Sequence, residues 1–460
     1  MLFNSLTFLL LHFISLVIYW ALPYQRGRLF VLLVSSFIFY GWFYWPGLIL
    51  LVVTIIINYL LSMALDKYRE KWIFVLAIIL NLLNLSWFKY SNFLLENLEK
   101  LLQAFVADIT VPTPSYWLPL GISFYTFQFL GYLIDLYRKE VAHEKSLLHF
   151  AVFKCLYAQL IAGPIVRASE LFPQLHQKAS FNPLQFQKGF FLMLGGLFLK
   201  ICVADILSQF VEYGFSHAGT ISTLHAWLSL YGFSFQILSD FWGYSTIAIG
   251  IGLMYGIHLP VNFNLPYTAR SLQDFWRRWH ITLSSWFRDY VYIPLGGNRV
   301  KNGLYRNIMI TMTIAGVWHG AGWQFILWGF GHGMILAIER RFHLQKLKTG
   351  NTFISALRVL LVFHLVCLLW VFFRAENFSQ AMVYFNALLL PPYSASISQL
   401  ETLVITLLLF IFFHGKLNHL FERNHFTELS LAKQVLLSSV LFLLIIAYAD
   451  ARLDFIYFVF

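Results

Sequence analysis

Two segments hold the residues best suited to chemistry. Residues 308–338 read IMITMTIAGVWHGAGWQFILWGFGHGMILAI, uncharged apart from any charge on His319 and His332. Gly316, Gly320 and Gly322 flank His319, and glycines let a neighbouring backbone or an acyl chain come close to an imidazole. An ionisable side chain at membrane depth is costly and points to function, the alternative being a structural hydrogen bond between helices. For His332, nearer the end of the run, the structural role leads. A neutral imidazole takes a proton near pH 7. That suits acyl transfer from a thioester to a hydroxyl, because a thiolate leaves without a metal's help. No G-x-S-x-G nucleophile elbow and no CxxC or HExxH metal spacing is present.

Residues 262–301 read NFNLPYTARSLQDFWRRWHITLSSWFRDYVYIPLGGNRVK, with six basic residues against two acidic. Ser271 and Asp274 form a capping pattern. The three-and-four spacing of Trp276, His280, Leu283, Phe287 and Tyr290 predicts one helix with these on a single face, ending before Pro294. Asp274 and Arg278, four apart, are expected to pair. A basic amphipathic segment favours an interfacial or re-entrant position. One reading is a surface anchor. The other is the mouth for an anionic cytosolic donor, with Arg277, Arg278, Arg288 and Arg299 meeting its phosphates and Gly296 and Gly297 offering backbone N–H groups.

The elements that must position these groups are set by composition. The chain has 460 residues, 59% hydrophobic and only 12% charged, which fits a bilayer rather than water as solvent. Apolar runs near spanning length include residues 29–44, 48–65, 72–88 and 435–448, and about ten to twelve membrane helices are expected in all. Residues 1–22 lack a basic n-region and a cleavage pattern, so they read as the first membrane helix. Cys155, Cys202 and Cys367 lie in apolar stretches and read as buried thiols. The net charge of +11 belongs to cytoplasmic loops rather than to nucleic-acid binding. Arg26 and Arg28, then Lys67, Arg69 and Lys71, then Arg138 and Lys139 fall after alternate spans, which puts the N-terminus outside. The pattern describes an all-α polytopic protein with a single membrane domain over 1–460. Residues 1–110 and 400–450 are plain spans, and 117–375 hold the polar and glycine residues of a core.

Residues 276–299 (WRRWHITLSSWFRDYVYIPLGGNR) and 315–323 (AGVWHGAGW) together resemble the histidine regions of the membrane-bound O-acyltransferase family. LPLGISFYTFQ from Leu118, QLIAGPIVR from Gln159 and WVFFRAE from Trp370 match in the expected order. The resemblance implies a helical fold with re-entrant helices around a central tunnel, and acyltransferase activity. His319 would be the catalytic base and His280 a second catalytic group on the donor side. Trp276, Asn264, Asp240, Trp318, Gln128 and the four arginines would bind donor or acceptor.

Within the family the chain looks like the bacterial alginate and peptidoglycan O-acetyltransferase type, with teichoic-acid D-alanyl transferases as near relatives. Residues 455–460, FIYFVF, form an F-x-Y-x-x-F tail. By resemblance Tyr457 accepts the acyl group, and a phenol of pKa about 10 is easier to deprotonate than a sugar alcohol. Residues 235–246, FQILSDFWGYST, keep Asp240 but carry Trp242 and Thr246 where the family often has serine and aspartate. The same resemblance implies a bacterial inner-membrane enzyme that takes acetyl from acetyl-CoA or an acyl carrier protein, with no bound cofactor or metal. An extracytoplasmic SGNH or serine-hydrolase-like acetyltransferase would be its partner, and membrane lipids its surroundings. Rival readings are a non-catalytic transporter of donor or lipid and a scaffold that recruits a transferase.

Overall fold

The computed structural model describes residues 1–106, 108–115, 117–299, 303–347, 350–389, 404, 407–408, 411, 414–416, 425–448 and 455. These residues are helical and irregular, with no strand among them. Among the described residues, five helices are long and apolar enough to cross a bilayer: Trp45–Tyr68, Lys71–Lys89, Pro183–Ser216, Thr223–Met254 and Thr352–Arg374. Leu6–Ala21 and Leu431–Ala447 are shorter apolar helices. The chain is therefore a multi-pass, all-α membrane protein.

The described chain forms two compact units, the first of residues 1–186 with 252–259 and the second of 187–251 with 260–460. The first opens with α1 (Leu6–Ala21), whose N-terminal Phe8 N–H is capped by the Ser5 hydroxyl at 3.2 Å. It continues through α2 (Gln25–Gly41), α3 (Trp45–Tyr68), α4 (Lys71–Lys89), α5 (Ser91–Gln103), α6 (Ile122–Tyr137), α7 (Leu147–Cys155) and α8 (Ala168–His176). With lipid unable to hydrogen-bond, polar side chains inside this unit find each other. Asn58 of α3 and Asn81 of α4 exchange amide hydrogen bonds at 3.2 and 2.7 Å. His12, Tyr157, Tyr255 and Ser15 form a buried chain with steps of 2.6, 2.9 and 2.5 Å.

The second unit is built on α11 (Thr223–Met254), whose most apolar stretch is 94% buried within protein. Beside it runs α9 (Pro183–Phe198), which passes through a π-helical turn, Leu199–Ala204, into α10 (Asp205–Ser216). A Cβ on Gly196 would stand 2.5 Å from the Gly243 carbonyl oxygen, so only glycine permits this crossing of α9 and α11. The short helices α12 (Leu272–Trp276) and α13 (Ile281–Phe287) follow, then α14 (Leu304–His319), α15 (Trp323–Arg341), α16 (Thr352–Arg374) and α17 (Phe378–Leu389). α14 and α15 form a hairpin that closes on Gly316 and Gly329, where added Cβ atoms would meet backbone at 2.2 and 2.3 Å.

The single helix expected across residues 276–290 does not exist. The chain leaves α12 after Trp276, turns, and re-enters helix at Ile281, with His280 in the left-handed region at φ 42°. The cause is a strap at residues 262–264 that takes the backbone groups a helix would need. Asn264 N–H donates to the Arg278 carbonyl and Ile281 N–H to the Asn262 carbonyl, both at 2.9 Å. The Asn262 side-chain oxygen also accepts from the Thr282 hydroxyl at 2.7 Å.

Candidate active site

His319 is the last residue of α14, where the chain turns extended at Gly320. The residue is 3% exposed, and its ring stands edge-on to Trp318 and Trp328, each at 4.9 Å, and to Phe373 at 5.1 Å. Three rings thus hold the imidazole in a largely dry aromatic setting, while one side of it borders a cavity of about 490 Å³. Ile308, Thr311, Met312 and Ala315 continue the α14 wall from His319. Trp276 and Arg277 come from α12 and the turn after it, Ser284 and Ser285 from α13, and Arg288 and Asn298 from the chain that follows. α15 adds Glu339 and Arg340. One space therefore adjoins the buried imidazole and three guanidinium groups, an arrangement suited to an anion with an apolar or reactive extension.

Local chemistry explains how α12 is held. The Ser271 hydroxyl accepts the Asp274 N–H at 3.0 Å, as the capping pattern requires. The Glu339 carboxylate, 8% exposed, accepts the N–H groups of Leu272 at 2.6 Å and Gln273 at 3.1 Å. A carboxylate at a helix N-terminus is favoured by both hydrogen bonding and the local dipole. It ties α12 to α15 and so places Trp276 and Arg277 along the cavity. Glu339 and Arg340 were missed by sequence reasoning. Their signal was the return of charge immediately after the 308–338 run.

The expected site residues fall into separate places. His319, Trp276, Arg277 and Arg288 line the cavity. Arg278 and Arg299 are not among its lining. Arg278 pairs with Asp274 at 2.9 Å, as its spacing predicts, and reaches toward the Asn264 carbonyl at 3.5 Å. Arg288 is exposed and shares its charge with Asp289 at 2.6 Å. Gly296 and Gly297 do not offer their N–H groups to a ligand, because these donate to the Ile293 and Tyr292 carbonyls at 2.9 Å each.

His280 is not among the cavity's lining; it is fully buried, with its ring edge-on to Phe241 at 4.6 Å and 6.2 Å from Trp318. It lies outside the five spanning helices, and burial lowers its pKa to about 3, so it is neutral. His332 is also fully buried, packed on Trp276 and Trp328. Asp240 is buried in an ion pair with Lys200 at 2.8 Å. Gln128 belongs to the first unit, where its side chain donates to the Val166 carbonyl at 3.3 Å. Tyr457 lies outside the described residues.

Residues 138–374 match the family model of the membrane-bound O-acyltransferases. The chain is 39% identical over 394 residues to a peptidoglycan O-acetyltransferase of Helicobacter pylori, covering 78% of this chain and 74% of that protein. It is 36% identical to a probable alginate O-acetylase, AlgI, of Pseudomonas aeruginosa, covering 84% of this chain and 75% of that one. A teichoic acid D-alanyltransferase of Streptococcus thermophilus is 32% identical over 50% of this chain and 59% of its own length.

Proposed function

Because the chain belongs to the membrane-bound O-acyltransferase family and is an acyltransferase, we propose that it draws an acetyl group from a cytosolic thioester, acetyl-CoA, for O-acetylation of an exported cell-envelope polysaccharide such as peptidoglycan or an alginate-like polymer. The observation that carries this reading is the single cavity shared by His319 and the arginines at positions 277, 288 and 340. Guanidinium groups suit the phosphates of the donor. The apolar α14 wall suits its thioester arm, and the imidazole suits the reacting carbonyl.

In this scheme His319 accepts the proton of an acceptor hydroxyl as its oxygen attacks the thioester carbonyl. The tetrahedral intermediate expels the thiolate, breaking the C–S bond, and the imidazolium returns the proton to sulfur. Ester and thiol are the products, and the imidazole is regenerated. The acceptor is the Tyr457 phenol, which then passes acetyl to an extracytoplasmic serine-hydrolase-like partner that esterifies the sugar. The basic loops and the cavity's arginines face the cytoplasm in a bacterial inner membrane, with the N-terminus outside.

The test is transfer of labelled acetyl from acetyl-CoA by the purified protein, followed by mass spectrometry of the peptide containing Tyr457. Wild type should carry an adduct of acetyl mass on that tyrosine, and His319→Ala should carry none. Equal labelling of the two would refute the assignment. Tyr457→Phe should keep acetyl-CoA binding while losing the adduct. A protein that moves donor without cleaving it, or takes D-alanyl thioesters in preference, would show no acetyl adduct in either form.

A further inference from the structure

The proposed reaction leaves one buried charge cluster of the second unit unused. Lys200 sits in the π-helical turn of the Pro183–Ser216 span, with its ammonium 2.8 Å from both the Asp205 and Asp240 carboxylates. All three side chains are 2–3% exposed. Charges at membrane depth are costly to keep, and a π turn inside an α-helix is itself unusual and concentrates at functional places. The extra residue of that turn and the close approach at Gly196 and Gly243 bring Lys200 onto Asp240, 40 residues away. The Lys200 ammonium also lies 4.6 Å from the ring centre of Phe455, within cation–π range. Phe455 is 1% exposed, and Tyr244 meets its ring edge-on at 5.1 Å. Phe455 is the first aromatic residue of the F-x-Y-x-x-F tail.

We propose that Lys200, held by Asp205 and Asp240, is the seat that anchors the C-terminal tail through Phe455. The two carboxylates fix the ammonium under the ring, and Tyr244 closes the side. The seat connects to the reacting centre through packed rings. Phe241, next to Asp240, packs on His280, and His280 reaches Trp318 beside His319. Two peptide links span at most about 7 Å, so a fixed Phe455 confines the reach of Tyr457. Lys200 is thus a positioning residue for the acceptor. This part of the inference rests on the proposed role of Tyr457, whereas the anchoring itself does not.

The experiment compares the full-length protein with Lys200→Met, Lys200→Arg and Phe455→Leu in the same detergent. Hydrogen exchange of the peptide containing Phe455 reads anchoring directly. We expect exchange there to rise at least about tenfold in Lys200→Met and Phe455→Leu, and Lys200→Arg to restore part of the protection. Peptides from α14 and α16, which carry no residue of the seat, should be unchanged, which shows that the variants fold. Should Lys200→Met fail to fold, Phe455→Leu, which keeps the seat and removes only the π face, carries the test. Acetyl transfer should lose kcat in the released variants with the KM for acetyl-CoA unchanged. Equal exchange in wild type and Phe455→Leu would overturn the anchor. A released tail with undiminished transfer would support the anchor and refute Tyr457 as acceptor.

Discussion

Gly316 gives the sharpest test of how His319 is placed. It lies three residues before the histidine on α14, against the backbone of α15. A Cβ there would stand 2.2 Å from the Phe325 carbonyl oxygen and 3.1 Å from the Gly329 Cα. Neither is the tip of a side chain, so no rotamer change relieves the clash. The α15 backbone must retreat by roughly 1 Å to reach ordinary contact. Forcing an extra methyl into a packed interior costs about 1–3 kcal/mol. A shift of about 1 Å at a catalytic group costs on the order of 100-fold in rate. Gly316→Ala should therefore remain folded, with a lowered melting temperature in detergent and a kcat for acetyl transfer about 100-fold down. Gly331→Ala is the matched control. Its Cβ would meet the Leu369 Cδ2 atom at 2.6 Å, and the next nearest atoms stand at 3.8 and 3.9 Å. The leucine tip can swing aside, so activity should stay within about twofold of wild type. Wild-type kcat in Gly316→Ala, or an equal loss in Gly331→Ala, would refute the view that backbone contact between α14 and α15 sets the imidazole's position.

The cavity and the buried histidines set three further outcomes. Trp328→Ala removes a ring 4.9 Å from His319 and should raise butyryl relative to acetyl transfer, measured with the two CoA thioesters; an unchanged ratio would show that this ring does not bound the acyl group. Changing Arg277 and Arg340 together to Gln should raise the KM for acetyl-CoA by about tenfold or more and flatten its salt dependence. Arg278→Gln, whose partner is Asp274, should have a smaller effect. His280 has its folded pKa depressed by burial to about 3 against 6.5 in the unfolded chain, so between these values the unfolded form binds a proton that the folded form excludes. Its contribution to stability is full above pH 6.5 and falls with acid by up to about 1.4 kcal/mol per pH unit. Melting temperatures measured from pH 7 to 4 should therefore drop less steeply in His280→Asn than in wild type.

Much was legible from one-dimensional pattern because bilayer and helix both act locally. Apolar runs at 48–65 and 72–88 anticipate α3 and α4 closely, since a lipid-facing helix needs a continuous apolar surface. The Ser271 cap and the Asp274–Arg278 pair also followed from spacing alone. The polar, glycine-rich run around His319 marked a residue that the cavity then takes as part of its wall.

Tertiary structure decided the rest. The three-and-four spacing from Trp276 to Tyr290 described one helix, but periodicity cannot register a distant strap competing for backbone hydrogen bonds. Residues 262–264 win those groups and send His280 into the left-handed region, away from the cavity. The same limit hid Glu339 and Arg340, which come alongside Trp276 and Arg277 only because the α14–α15 hairpin packs on glycine and the Glu339 carboxylate caps α12. Asp240 read as a ligand-binding group. The partner it has in the fold, Lys200, was invisible because 40 residues of chain separate them, and a π turn with two facing glycines brings them together. Composition and spacing determined the membrane class, the helices and the basic and histidine residues on offer. Which of those side chains share one space was settled by close packing between elements, a long-range interaction that no local pattern encodes.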